Sequence, residues 1–148
     1  MTETTQNLPQ LEVLRIYIKN LSLEVPAAPA IFQQDYRPEI SVDLNINHAC
    51  LETQVYEVAL TVTVTATTEE KTVFLVEAQQ AGIFQITGFP EEQLDHILEA
   101  YVPTVLFPYA REAISSLVTR ASFPPVILAP MNFDAIYRQK KMAANEKQ

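Results

Sequence analysis

Ile40, Val42, Leu44 and Ile46 alternate with Ser41, Asp43, Asn45 and Asn47, a period of two that predicts a strand with one apolar and one polar face. The same alternation runs through Tyr56, Val58, Leu60, Val62, Val64 and Ala66 against Glu57, Ala59, Thr61, Thr63 and Thr65. After a short polar turn over Thr67 to Lys71, a further strand covers Thr72 to Gln80, with Phe74, Val76 and Ala78 on one face and Val73, Leu75 and Glu77 on the other. Ile83 to Ile86 either extends that strand or forms a short one of its own. Leu11 to Val25 also has strand character, but its apolar phase moves between Ile18 and Leu21, which predicts a bulge near Lys19 or Asn20. Apolar residues on both faces of this strand call for cover on both sides, including cover from another subunit.

Between these strands, residues 25–38 carry Pro26, Pro29 and Pro38, which rule out a regular helix or a central strand. This connection presents Ile31, Phe32 and Tyr36, side chains that must either dock on their own domain or meet a ligand. Beyond Gly88 the period changes. Pro90, Glu91 and Glu92 suit a helix start, and Leu94, Ile97, Leu98 and Tyr101 follow at helical spacing. Pro103 is expected to interrupt this helix and Pro108 to restart it, with Ala110, Ile114, Leu117 and Val118 forming the next stripe. Pro124, Pro125 and Pro130 leave Val126 to Leu128 extended, and Asn132 caps a last helix with Phe133, Ile136 and Tyr137 on one face. Strands first and helices after define an α+β chain with a four-stranded antiparallel sheet.

Composition narrows the function. The chain has 148 residues, enough for one domain that buries about 70% of the surface of its unfolded form. We expect residues 11–138 to form that domain, with segments at 1–10 and 139–148 flexible on either side. Eighteen acidic against ten basic residues give a formal charge of −8. That balance argues against nucleic acid or an anionic membrane as partner and favours a basic one. The single cysteine, Cys50, the polar start of the chain and the absence of a long apolar run predict a cytoplasmic protein with no direct membrane insertion.

No phosphate loop, nucleophile elbow, metalloprotease motif or paired cysteines occur, so neither an enzyme nor a cofactor or metal is expected. His48 is placed in a solvated link after the second strand, too poorly supported for a Cys50–His48 pair to act as nucleophile and base. His96 reads as a helix-surface residue rather than a ligand, and the Glu91–Glu92 pair is explained by the helix dipole.

Taken together, Ile16-Tyr17, Ser22 to Pro26, Gln79 to Phe84, Leu106-Phe107-Pro108-Tyr109-Ala110-Arg111-Glu112 and Leu128 to Ala135 resemble the SecB protein-export chaperones, in order, from about Leu11 to Tyr137. The resemblance implies a homotetramer, a dimer of dimers, that holds unfolded precursor polypeptides without ATP and passes them to SecA, the translocation ATPase. It implies a client groove that includes Phe32, Tyr36, Ile40, Val42 and Leu44. It further implies a SecA-facing surface at Glu24, Leu75 and Glu77, and positions tied to assembly at Val76, Ala78 and Gln80. Asn20 stands where the family commonly has an aspartate, Tyr36 where it often has a tryptophan, and Lys140, Lys141 and Lys147 where it has a longer acidic tail. The alternatives are a thioesterase-like enzyme using Glu57 or His48 as base, and a carrier enclosing a small apolar ligand beside Phe32 and Tyr36.

Overall fold

Four long strands form one antiparallel sheet: β1 (Gln10–Glu24), β2 (Glu39–Glu52), β3 (Val55–Thr68) and β4 (Lys71–Thr87), in the spatial order β1-β4-β3-β2. The computed structural model describes residues 8–69 and 71–146; the expectation for residues 1–7, and Lys147, lie outside them. The β2-β3-β4 meander follows directly from the short links between alternating segments. The chain order leaves β1 free to join either edge, and it lies on β4, with Ile16 opposite Gly82 and Leu23 opposite Val76. Two register shifts interrupt this ladder, between Val13 and Arg15 and between Ile18 and Asn20. The second lies at Lys19, where the change of apolar phase predicts it; the first, at Leu14, has no counterpart in the sequence reading.

Ile83 to Ile86 continue β4 without a break. Gly82 is required there by space, because a Cβ would stand 2.8 Å from the Arg15 carbonyl oxygen and 2.8 Å from the Phe84 ring. β2 also runs further than expected, through Glu52, so His48 is a strand residue opposite Val58 and not part of a link. The polar run Asn47-His48 hides this extension, because an edge strand can place polar groups on either face and still complete its ladder on one side.

A single helical rod spans Glu91 to Arg120, made of α1 (Glu91–His96), one wide π turn (Ile97–Tyr101) and α2 (Val102–Arg120). The expected break at Pro103 and restart at Pro108 do not occur. At the π turn the Val102 amide donates to the Ile97 carbonyl, one residue further back than in an α-helix, which opens the spacing in front of Pro103. The Thr104 hydroxyl donates to the Ala100 carbonyl at 2.8 Å. Pro108 is exposed, as is Thr104, whose carbonyl the missing amide would have served, so solvent can complete that group. Burial of Val102, Leu106, Phe107, Ala110, Ile114 and Val118 against the sheet holds the rod together across both prolines.

The core lies between this rod and one sheet face. Val58, Leu60, Val62, Val64 and Ala66 of β3 and Phe74, Val76, Ala78, Phe84 and Ile86 of β4 point into it. After Arg120 the chain turns, runs extended through 124–131 and ends in α3 (Phe133–Glu146), whose helix includes residues 139–146. As expected, Asn132 caps α3: its Oδ1 accepts the Ala135 amide at 2.9 Å. Phe133 is buried and meets the edge of Phe107 with ring centroids 5.8 Å apart.

Candidate functional site

An apolar groove of about 630 Å³ lies between the crossover connection, the start of β2 and the extended segment after α2. Tyr36, Pro38 and Ile40 form one side, Phe74 and Phe123 the floor, and Pro124 to Ala129 the other side. The floor is aromatic because Phe123 lies 5.0 Å from Phe74 and 5.3 Å from Phe32, centroid to centroid. Ile31, fully buried in the one turn of 3-10 helix at Ala30–Gln33, anchors the connection, which leaves Phe32 47% exposed at the rim. Burial and exposure are thus divided between two adjacent residues.

Of the five expected groove residues, Tyr36 and Ile40 line the concavity and Phe32 stacks on its floor. Val42 and Leu44 lie further along the same face of β2, half-buried against the core and beyond the groove walls. Phe74 and residues 123–129 were not anticipated. Their signal was present as an apolar run punctuated by Pro124, Pro125 and Pro130, but a proline-rich link gives no indication of which surface it crosses. Among the described residues, no backbone hydrogen bond ties 124–131 to another part of the chain. Ile127, in the middle of this segment, is 77% exposed. Regular structure would have consumed these amides and carbonyls; here they border an apolar floor.

The opposite sheet face is polar. Glu24 pairs with Leu75 and Ser22 with Glu77 across β1 and β4, so Glu24, Leu75 and Glu77 share one patch. The Thr63 hydroxyl donates to Glu77 at 2.9 Å from β3. Further along this face Glu57 accepts the Tyr17 hydroxyl and, at 2.9 Å, the Lys19 ammonium. Burial, with the Glu57 bond and charge, pushes the Tyr17 hydroxyl up to about 12. The same Tyr17 bond, assisted by Lys19, holds the Glu57 carboxyl below its ordinary range.

Val76, Ala78 and Gln80 point the other way, into the core beneath the helical rod. Gln80 is the one buried polar residue among those described, and its Nε2 donates to the Tyr17 carbonyl at 3.1 Å, beside the second bulge of β1. Gln80 thereby ties β4 to β1, and all three side chains are buried within the single chain. Beside them, Val13, Ile18 and Leu21 of β1 remain 43%, 42% and 39% exposed, an apolar edge without cover in one chain.

Glu57 lies on the polar face, bonded to Tyr17 and Lys19, whereas His48 lies on the helix side with its Nε2 3.2 Å from Glu99 Oε2. The groove is open to solvent, unlike the closed cavity of a small-molecule carrier. Fold and site together define a binding protein that offers an apolar groove on one side and a polar sheet face on the other.

Comparison with known proteins gives this class its family. Residues 4–144 match the family model described as preprotein translocase subunit SecB. The protein-export protein SecB of Legionella pneumophila (strain Corby) is 55% identical over 131 residues, covering 88% of this chain and 81% of the relative. That of Pseudomonas syringae pv. tomato is 50% identical over 141 residues, covering 95% and 86%. The chain belongs to the SecB family, whose members are protein-export chaperones and not enzymes. Its fold is shared with a SecB-like chaperone of Mycobacterium tuberculosis solved in complex with a ChAD peptide from an antitoxin, at a TM-score of 0.68 and 17% identity over 82% of this chain and 90% of that one.

Proposed function

We propose that this protein is an ATP-independent cytoplasmic chaperone that binds unfolded precursor polypeptides in the apolar groove, keeps them competent for translocation and delivers them to SecA. The observation that carries the reading is the groove itself, whose one wall is an extended, proline-held apolar segment with Ile127 largely exposed. Such a surface suits a chain without fixed structure. Phe32, Tyr36 and Ile40 contribute apolar anchors, Val42 and Leu44 extend the path along β2, and free backbone groups of 126–129 can bond any polypeptide irrespective of its sequence. No helix among the described residues is long and apolar enough to cross a membrane.

Affinity requires more than one groove. Burying one large apolar client side chain contributes about 1.5 to 3 kcal/mol, while ordering a disordered segment costs about 2 to 5 kcal/mol. Two or three anchors therefore come close to cancelling, whereas a micromolar complex needs about −8 kcal/mol. A homotetramer, built as a dimer of dimers, supplies several grooves to one client chain at high effective concentration. The exposed Val13, Ile18 and Leu21 on β1 give such an assembly an apolar contact surface, held in place by Val76, Ala78 and Gln80 behind it. The net charge of −8 per chain keeps assemblies with open grooves from associating further.

Glu24, Leu75 and Glu77 form the surface for SecA, on the face away from the groove, so that client and ATPase need not compete for one site. Native mass measurement with and without a reduced, unfolded client tests this reading. A tetramer that binds the unfolded chain but not its folded form is expected; a monomer indifferent to unfolded chains would overturn it.

A further inference from the structure

At the far end of β2 from the groove, three metal-type donors meet. His48 of β2, Asp95 of α1 and Glu99 of the π turn bring a ligand atom each to within 4.8 Å of one another. His48 Nε2 and Glu99 Oε2 are 3.2 Å apart. Two donors on one tetrahedral zinc ion, at bond lengths of about 2.0 to 2.2 Å, stand roughly 3.4 Å apart, so this pair already has the required spacing. Closing Asp95 to the same distance takes a side-chain adjustment of about 1.5 Å at most, within reach of a half-exposed carboxylate.

Both carboxylates are also held by α3. Glu99 Oε1 takes the Lys140 ammonium at 3.2 Å, and Asp95 Oδ2 takes the Tyr137 hydroxyl at 2.9 Å and the Lys141 ammonium at 3.4 Å. Glu99 thus gives Oε1 to α3 and Oε2 to His48, while Asp95 gives Oδ2 to α3. Such outer partners fix carboxylate ligands in orientation. Lys140 and Lys141 already pair with the two carboxylates, so a divalent ion has to compete with their ammonium groups, while the imidazole favours zinc-like metals over calcium or magnesium.

We propose that His48, Asp95 and Glu99 form a zinc-type divalent metal site that joins β2 to the helical rod beside α3, with an open fourth position. It has no spacing signature in the sequence because His48 and Glu99 are 51 residues apart. Cys50, two residues on from His48 in β2, is not a ligand; its Sγ is turned to the Glu52 carbonyl oxygen at 3.3 Å.

Titrating the untagged full chain with Zn²⁺ alone, in competition with a chromophoric chelator, tests the site. One equivalent per chain is expected in the native protein and in Cys50→Ser. His48→Gln and Glu99→Gln should each weaken the affinity at least tenfold, and zinc should raise the thermal midpoint of the native protein but not of His48→Gln. Unchanged affinity in both His48→Gln and Glu99→Gln, loss of binding in Cys50→Ser, or no saturable binding to the native chain would overturn the proposal.

Discussion

The two faces of the sheet are built from the same strands, yet they present opposite chemistry. In β3, Val62 and Val64 face the helical rod and are fully buried, while Thr61, Thr63 and Thr65 alternate with them and face outwards. In β4 the same alternation sends Val76 and Ala78 inwards and Leu75 and Glu77 outwards. One face supports an aromatic groove that can bind through apolar area; the other carries carboxylates and hydroxyls that can bind through charge. On the proposed reading a difference of one residue in position separates two partners, and salt should distinguish them: client binding should persist at moderate ionic strength while SecA binding weakens.

The largest effect should come from breaking what both faces share. Phe84 is fully buried between β4 and the rod, and Phe84→Ala should cost about 3 to 5 kcal/mol in denaturant unfolding and impair both partners together. Ile127→Asp should act on one side only. Removing one exposed anchor and adding a charge should weaken an unfolded client about tenfold or more by calorimetry, with stability changed by less than about 0.5 kcal/mol and SecA binding unaltered. Equal losses for client and SecA would show that the two surfaces are not independent. On the polar face, Glu24→Gln combined with Glu77→Gln should weaken SecA about two- to tenfold and flatten its salt dependence, leaving client affinity unchanged.

The smallest effect is at the Tyr17–Glu57 pair. Tyr17 has a folded-state value raised from 10.0 to about 12, so its contribution to stability is complete below pH 10.0 and is lost as pH rises through about 12. Glu57 has its value lowered from 4.5, so its contribution is present above pH 4.5 and is lost as pH falls through the depressed value. Tyr17→Phe should flatten both limbs of the stability profile, measured by urea midpoints across pH, because it removes the alkaline titration and the main cause of the Glu57 shift. Glu57 retains Lys19, an exposed pair that contributes about 0 to 1 kcal/mol.

How legible these features were depends on how local their causes are. The strands around Val42 and Val62 could be read because period-two alternation is imposed residue by residue by a sheet with one covered face. The bulge near Lys19 could be read because a shift of apolar phase has no other simple explanation in a strand. The Asn132 cap was legible from a side chain that bonds an amide three residues away. The rod was misread at Pro103 and Pro108, since proline's local cost was weighed without the wide turn at 97–101 or the burial of Leu106, Phe107 and Ile114 that outweigh it. His48 was misplaced for a related reason: a polar residue in an edge strand looks like a loop residue.

The same distinction holds for the groove. Its aromatic residues in the crossover connection stood out because three prolines exclude regular structure around Phe32 and Tyr36. Phe74 and the 123–129 wall did not, because they come from a strand and a link far apart in the chain and acquire a common purpose only when α2 crosses the sheet. Alternation, caps and family motifs settled most of the strands, the last helix, the α+β class and the kinship with export chaperones, because each is written in short stretches of the chain. The strand order, the depth of the groove, the burial of Gln80 and the meeting of His48 with Asp95 and Glu99 depended on long-range packing. That packing minimises exposed apolar area over the whole chain, and no short stretch of sequence carries the balance of terms that decides it.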